Sequence, residues 1–350
     1  MLWNASETPL TGSTVSGLSE QRFNEMSTNG QKETGFLLQS SMSSTTDAKQ
    51  GSFSNGTRHG DLPTELRRIA EEELGETDSG KEEALEKLTQ LLQNEPDLDA
   101  RTDPEFLLRF LRVRKYNVDA TLNTIKNYYK SRVAFASTFK GLTPASVNPD
   151  AKELFIVMPE RDRHGRLIIL MRLGAWMPDV LPYCDVQQAG MMCLDHAASD
   201  PSSQTAGVTL IIDFEGFSAS KMLSCSIGVI RQGLDYLQNC LPIRMKAQHI
   251  VKESYVFDLL YALLRPFIKK KMTSRIHCHG FNFETLHGQI DPSVLPEEFG
   301  GQGKPHDFDA FWKRLHDEEH IFAENNRYGY HTPSSDLVLN DEYEEENTDL

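Results

Sequence analysis

Residues 241–280 read LPIRMKAQHIVKESYVFDLLYALLRPFIKKKMTSRIHCHG, and this stretch decides the interpretation of the chain around it. Its first part, Met245–Val251, is an apolar run that predicts a β-strand. Residues 255–267 follow with apolar side chains at helical spacing, and Pro266 predicts a stop or a kink. A basic cluster comes next, because no acidic residue occurs in the 25 positions after Asp258.

An apolar helix that leads directly into a basic cluster is typical of a segment that meets an anionic membrane. A core helix with a solvated basic end has the same composition, so both interpretations stay open at this point. The apolar residues of the helix are Val256, Leu259, Leu260, Leu263, Leu264 and Phe267. The basic residues are Arg265, Lys269, Lys270, Lys271 and Arg275.

The distribution of charge restricts the classes of partner. The chain has 350 residues, enough for about two domains, and a formal net charge of -15. That balance argues against a general nucleic-acid binder. The acidity is concentrated in residues 61–103, with 14 acidic and 5 basic groups, and in residues 331–350, with 7 acidic and no basic groups. Residues 104–330 hold 27 basic and 25 acidic groups, so the middle of the chain can carry a basic face.

The cysteines and the apolar runs indicate the compartment. Five cysteines without a CxxC spacing predict reduced thiols in a cytosolic protein rather than a disulfide framework or a zinc site. The first residues lack the basic and apolar regions of a signal peptide. No apolar run approaches the roughly 18 residues of a transmembrane helix. We therefore expect a cytoplasmic protein, without a cofactor, whose membrane contact is peripheral.

Composition separates a disordered segment from a helical domain near the N-terminus. Residues 1–60 contain 19 Ser/Thr and 7 Gly and predict disorder. Residues 61–137 predict a small helical domain. Within it, Asp103 is a good N-cap for a helix that begins at the following proline, and Ser79 is expected to cap an earlier helix.

Residues 142–303 alternate short β-prone runs with helical stretches. This alternation predicts an α/β fold with a mostly parallel sheet covered by helices. The expected strands are residues 167–173, 208–213, 245–251 and 275–278, and the expected helices are residues 186–199, 226–239 and 255–267. Residues 304–328 contain a final amphipathic helix, expected over 308–325, and residues 329–350 predict an acidic disordered tail.

Two pairs of histidines could bind a metal ion. His316 and His320 fit the HxxEH pattern of zinc proteases, but the segment is charged and offers no evident third ligand, so a solvated helix is favoured. His277 and His279 alternate along a predicted strand and share one face. A hydrogen-bonded, half-buried pair is the simpler interpretation there.

Asp213 and Glu215 could support acid–base chemistry. They end a predicted strand, where open α/β sheets often bind ligands. No nucleophile or phosphate-binding loop lies near them in sequence, so a role in capping and loop structure is favoured. The sequence therefore predicts a protein that is not an enzyme.

Several motifs in order resemble the CRAL-TRIO family of lipid-transfer proteins, in particular its α-tocopherol transfer protein and clavesin branch. The matching stretches are DPEFLLRFLRVRKYNVDAT, LIIDFEGFS, LPIRMKAQHIV, LLRPFIKKKMTSRIHCHG and LPEEFGG. The resemblance covers residues 62–325 and implies an N-terminal helical domain, then an α/β lipid-binding domain. It also implies that the helix over residues 255–267 is a mobile gate above an apolar cavity.

The resemblance assigns two sets of site residues. The phosphoinositide site, for phosphatidylinositol bisphosphate, falls on Arg114, Arg244, Lys246, Lys271 and Arg275. The lipid pocket falls on Gln187, Gly190, Leu194, Val208, Ile212, Leu237 and Met245. Gln187 stands where the tocopherol protein has an aromatic residue, and Gly190 and Leu194 replace two small hydroxyl residues. These differences suggest a ligand other than tocopherol itself.

Two functions follow from the resemblance. The first is transfer of one hydrophobic ligand, tocopherol-like, retinoid or another lipid, between membranes, with docking on phosphoinositides. The second is a phosphoinositide-binding adaptor that recruits trafficking proteins through the termini. Either function implies a cytoplasmic protein that is peripheral on endosomal or trans-Golgi membranes.

Overall fold

The computed structural model describes residues 62–331, in which a helical part precedes an α/β part. The disorder expected for residues 1–60 and for most of the tail 329–350 lies outside the described residues, but Gly329–Tyr330, at the start of that tail, is a short strand. The helices of the helical part are α1 (Thr64–Leu74), α2 (Asp78–Gln93), α3 (Pro104–Val113), α4 (Val118–Ala134) and α5 (Ala136–Phe139).

Capping side chains set where these helices begin. The Asp103 carboxylate accepts a hydrogen bond from the Phe106 amide at 3.1 Å, and the following proline opens α3, as predicted. The prediction that Ser79 caps α2 is wrong. The cap is Thr77, whose hydroxyl accepts from the Gly80 amide at 3.1 Å, because Ser79 already lies inside the first turn.

A five-stranded sheet forms the centre of the α/β part. The strands of the described chain are β1 (Leu98–Asp99), β2 (Phe155–Arg161), β3 (Leu167–Met171), β4 (Val208–Asp213), β5 (Met245–Val251), β6 (Ile276–Cys278) and β7 (Gly329–Tyr330). The central sheet has the order β2-β3-β4-β5-β6; β2 and β3 are antiparallel and the other neighbours are parallel, which confirms the mostly parallel sheet. Sequence reasoning missed β2, an edge strand in which Pro159 lies at a break in the register with β3; an edge position and a bulge both tolerate proline.

Parallel neighbours in sequence order need crossover connections, and right-handed crossovers place their helices on one face of the sheet. The remaining helices are α6 (Pro149–Lys152), α7 (Tyr183–Ser199), α8 (Pro201–Ala206), α9 (Ala219–Leu223), α10 (Ile227–Asn239), α11 (Tyr255–Leu264), α12 (Lys270–Thr273), α13 (Glu284–Gln289), α14 (Phe308–Asp317) and α15 (Glu319–Asn325). Because α11 joins the end of β5 to the start of β6, it returns from the carboxyl edge of the sheet to the amino edge.

The continuous helix expected over residues 308–325 is instead two helices, α14 and α15, separated at Glu318. The break lets Glu319 accept a hydrogen bond from the Ala145 amide at 2.9 Å. It also leaves Phe311 and Phe322 both buried in the core.

The C-terminal end of the described chain is bonded to the helical part. β1 pairs with β7, with Leu98 opposite Tyr330. The Arg101 guanidinium donates to the Asn325 side-chain oxygen at 2.8 Å, and the His331 amide donates to the Asp97 carbonyl at 3.0 Å. One hydrophobic cluster runs from α2 through the sheet to α15, so the two parts share a core.

Candidate functional site

The five basic residues predicted for phosphoinositide binding come from separate parts of the chain and lie close together. Arg114 follows α3, Arg244 and Lys246 lie at the start of β5, Lys271 lies in α12, and Arg275 precedes β6. Partial burial lowers the pKa of Lys271, and the positive charges that lower it further are those of Arg275, Lys115, Arg244 and Arg114. This set, with Lys115, is called the basic cluster below.

An internal carboxylate occupies part of the basic cluster. One Glu73 oxygen accepts from Arg244 Nη2 at 2.6 Å and from Lys246 Nζ at 3.2 Å. Partial burial opposes the ionisation of Glu73, but the Arg244 hydrogen bond and the Lys246 charge hold its pKa below the ordinary value. The carboxylate is therefore charged at neutral pH.

Backbone and side-chain acceptors orient the arginines of the cluster. Arg275 donates to the Met245 carbonyl, and Arg114 donates to the Thr124 hydroxyl at 2.6 Å. Burial lowers the pKa of Arg275, as do the charges of Arg244 and then Arg166. Guanidinium groups held in this way present their remaining N–H groups in a fixed direction, which suits phosphate oxygens.

Sequence reasoning missed three charged groups at this site, namely Glu73, Lys115 and Arg166. Adjacency to Arg114 could have indicated Lys115. No sequence signal could have indicated Glu73, because 171 residues separate it from Arg244 and only the docking of α1 brings the two together.

The predicted gate helix, α11, has apolar residues on its inner and outer faces. Val256, Leu260 and Leu264 are buried in the shared core. On the outer face, Leu259 and Leu263 are each 50% exposed. After α11 the chain passes into a 3-10 turn, Arg265–Phe267, at the proline predicted to stop it.

Other exposed apolar side chains accompany the outer face of α11. They lie in the segments that come after β3, β4, β5 and β6, and so near the carboxyl edge of the sheet, where α11 also begins. These residues are Met177, Val180, Leu223, Ile227, Tyr255 and Phe281. Among the large exposed apolar residues of the described chain, Ile321 in α15 is the exception to this placement. Clustered apolar exposure on one edge is typical of an interaction surface.

A cavity of about 340 Å³ lies between residues 134–139, the first half of α7 and the segment 224–236. Its lining residues are Ala134, Phe135, Ser137, Thr138, Phe139, Tyr183, Cys184, Gln187, Met191, Ser224, Ser226, Val229, Gln232, Gly233 and Tyr236. None of these carries a formal charge, and none belongs to the predicted gate helix α11, so the expected placement of that helix above the cavity is not seen here. The lining combines aromatic rings with hydroxyl and amide groups, which suits an uncharged amphiphilic molecule.

The predicted pocket residues occupy different environments. Gln187 lines the cavity. α10 passes close to this side chain, as shown by the 3.3 Å that would separate a Cβ on Gly233 from Gln187 Nε2. A Cβ on Gly190 would lie 3.1 Å from the Phe155 ring, so this position packs against β2. The remaining predicted pocket residues belong to the shared core: Leu194, Val208 and Met245 are buried, and Ile212 and Leu237 are half-buried.

Comparison with known proteins relates these features to a family. A family model described as CRAL/TRIO domain matches residues 151–301, and one described as Pinta-like, UBA domain matches residues 77–147. The human protein named alpha-tocopherol transfer protein-like is 31% identical over 242 residues, which cover 69% of this chain and 71% of that protein. The chain belongs to the CRAL-TRIO family.

A second relative and one solved structure are also similar to parts of this chain. Mouse clavesin-2 is 29% identical over 281 residues, which cover 79% of this CRAL-TRIO chain and 86% of the relative. The solved structure titled "Crystal structure of Sfh5" covers 70% of this chain and 99% of its own, with a TM-score of 0.47 at 12% identity.

The carboxylates considered for acid–base catalysis are held in ion pairs in this CRAL-TRIO protein. Lys252 Nζ lies 3.2 Å from an Asp213 oxygen and 2.7 Å from a Glu215 oxygen. The Asp213 carboxylate also accepts from the Glu215 amide at 2.8 Å. These contacts fix the loop after β4, in line with the structural interpretation.

Neither pair of histidines considered as metal ligands forms a metal site in the described residues. His249, in β5, was missed by sequence reasoning: its Nδ1 lies 2.9 Å from His279 Nε2, and its ring stacks on His277 at 5.4 Å. His316 and His320 lie on different helices, α14 and α15, and so lack the shared helix face that zinc binding needs. Across residues 62–331, no group of three His, Cys, Asp or Glu side chains is placed to hold a metal ion.

The described helices place a limit on membrane insertion. Between residues 62 and 331, no helix combines the length and the apolar character required to span a bilayer.

Proposed function

We propose that this protein binds one hydrophobic molecule and carries it between membranes without covalent chemistry. The observation that supports this most strongly is α11, which is apolar on both faces and leads into the basic cluster. A helix of this kind can cover a ligand with its inner face and enter a membrane with its outer face. The cavity, which α11 does not line, has an uncharged lining that favours a neutral ligand, such as a tocopherol-like molecule or a retinoid.

Energetics explain why such a ligand would leave only at a membrane. A ligand with about 20 buried carbons gains on the order of 16 kcal/mol from burial, at about 0.8 kcal/mol for each CH₂. Release into water would lose this gain, whereas release into a bilayer keeps most of it. If the open state of α11 binds the membrane better than the closed state does, docking and opening become coupled.

The basic cluster supplies the second part of the proposal, which is docking on phosphatidylinositol bisphosphate. Each basic residue near an anionic surface contributes about 1 kcal/mol, and arginine can hold a phosphate group with two N–H donors. Lys271 and Arg275 follow the C-terminal end of α11 after the 3-10 turn Arg265–Phe267, so contact at the basic cluster would bring that end of the outer face, with Leu263, to the bilayer. On this proposal the protein is cytoplasmic and reaches endosomal or trans-Golgi membranes peripherally.

Native mass spectrometry of the protein purified from eukaryotic cells, followed by organic extraction, tests the carrier function. We expect a hydrophobic small molecule at one copy per chain. A protein that is consistently empty, and stays empty when offered tocopherol, retinoids or phospholipids, contradicts the carrier function. That result would favour the adaptor, whose recruitment should then depend on residues 1–60.

Vesicle binding tests the charge part of the proposal. The Lys271→Glu and Arg275→Glu double variant should bind vesicles containing phosphatidylinositol bisphosphate more weakly and transfer ligand more slowly. A matched control, Lys313→Glu with Arg327→Glu, makes the same change in charge at residues that are 75% and 73% exposed in or after the C-terminal helices. Equal binding by the two double variants contradicts the role of the cluster.

A further inference from the structure

Glu73 is held inside the basic cluster by the contacts of its neighbours in and just after α1. The neighbouring Leu74 is buried, and Glu76 pairs with the buried Arg112 at 2.7 Å. Arg112 in turn donates to the Gln204 side-chain oxygen at 2.6 Å, which ties α1 to α8. Glu73 therefore reaches Arg244 and Lys246 from a helix with a fixed position.

The Glu73 carboxylate offers the same chemistry as a phosphate oxygen. It is an anionic oxygen that accepts from a guanidinium and an ammonium at once, at 2.6 and 3.2 Å. Two of the five residues predicted to hold a phosphoinositide are thus bound to an anion of the protein itself. The Glu73 side chain is 48% exposed, so an incoming anion can reach it.

We infer that Glu73 is an internal competitor for the phosphate site, which a phosphate group must displace before it can use both Arg244 and Lys246. This inference rests on the proposed phosphoinositide docking. Lys271 makes no ion pair with any residue between 62 and 331, so it can make the first contact with the headgroup. The carboxylate then leaves as the phosphate oxygens take over its two donors.

While Glu73 is bound to Arg244 and Lys246, a free anion cannot use these two donors. The measured affinity for the anion is therefore reduced in proportion to the fraction of molecules in which the site is open. Ion pairs to a half-exposed carboxylate such as Glu73 are weak, so the expected factor is about three- to tenfold. Glu73→Gln should therefore tighten binding by that factor. Its neighbour Glu72 pairs with Arg68, outside the cluster, and Glu72→Gln makes the same change in charge as a matched control.

Calorimetric titration of the full-length protein with soluble inositol 1,4,5-trisphosphate tests the inference without a membrane. Glu73→Gln should bind about three- to tenfold more tightly than the wild type, and Glu72→Gln should stay within about twofold of it. Glu73→Asp keeps the charge but shortens the reach, so it should also tighten binding. That variant keeps the inference testable if the glutamine variant folds poorly.

The outcomes separate this inference from the proposal on which it rests. If the wild type binds the headgroup, and Lys271→Glu with Arg275→Glu abolishes binding, an affinity of Glu73→Gln equal to that of Glu72→Gln overturns the competitor alone. Tighter binding to phosphatidylinositol bisphosphate vesicles without tighter binding to the soluble headgroup also overturns it, since general membrane attraction would then be the cause. If no variant binds either form, the phosphoinositide docking itself is wrong.

Discussion

Replacing Leu259 and Leu263 together by Gln should weaken membrane binding with little effect on folding. Each leucine side chain is 50% exposed on the outer face of α11. Complete burial of a leucine is worth about 1.5–3 kcal/mol, so burying the remaining half in a bilayer is worth about 1 kcal/mol for each. Loss of both leucines should therefore weaken the free energy of membrane binding by about 2 kcal/mol, which is roughly a 30-fold decrease in the membrane partition coefficient. The free energy of unfolding should change little, because the outer face makes few core contacts.

The assay is sedimentation with phosphatidylcholine vesicles that contain phosphatidylinositol bisphosphate, over a range of lipid concentrations. Ile321→Gln is the control, since Ile321 is 39% exposed but lies on α15, away from the other exposed apolar residues. A 30-fold loss confined to the α11 double variant supports insertion of that face. If Ile321→Gln binds as weakly as the double variant, or if the double variant binds like the wild type, the reasoning is wrong.

Two further predictions concern stability. Burial and the neighbouring imidazoles lower the pKa of His249 to about 3, so between pH 7 and pH 5 the unfolded chain binds a proton that the folded chain does not. His249 should therefore lower the free energy of unfolding by about 2 kcal/mol between pH 7 and pH 5. In urea denaturation at pH 7 and pH 5, the free energy of unfolding of His249→Gln should fall less than that of the wild type. An equal fall in the two proteins would contradict this account. Gly174→Ala should cost about 3 kcal/mol, because the new Cβ would overlap the Glu215 backbone carbonyl. Gly288→Ala, where the space is open, should be neutral or slightly stabilising in thermal unfolding; equal costs for both alanines would refute the overlap.

Signals that act over a few residues could be read from the sequence. The cap at Asp103 and the alternation of strands and helices are local, and the structure confirms them. β2 was missed because its Pro159 disrupts the strand pattern, and the proline is acceptable only because it lies on an edge strand at a break in the register. Short polar helices such as α8 carry too little periodicity to be recognised.

Contacts between distant segments could not be read from the sequence. The resemblance placed Lys271 and Arg275 in a common site, but nothing indicated that Glu73 would occupy part of it. In the same way, His249 joins His277 only through the register of β5 with β6. A single sequence shows the periodicity of a strand but not which residue lies opposite on the next one.

The pairing of β1 with β7 has a consequence for the order of events during synthesis. Leu98 emerges from the ribosome long before Tyr330, its partner in the ladder. While the intervening strands are being made, the edge at β1 stays open, and Arg101 lacks its Asn325 acceptor. The helical part can collapse early, but its last hydrogen bonds form after translation has passed the whole α/β part. A nascent chain arrested before residue 325 should therefore hold this edge accessible to chaperones, and completion of the chain should close it.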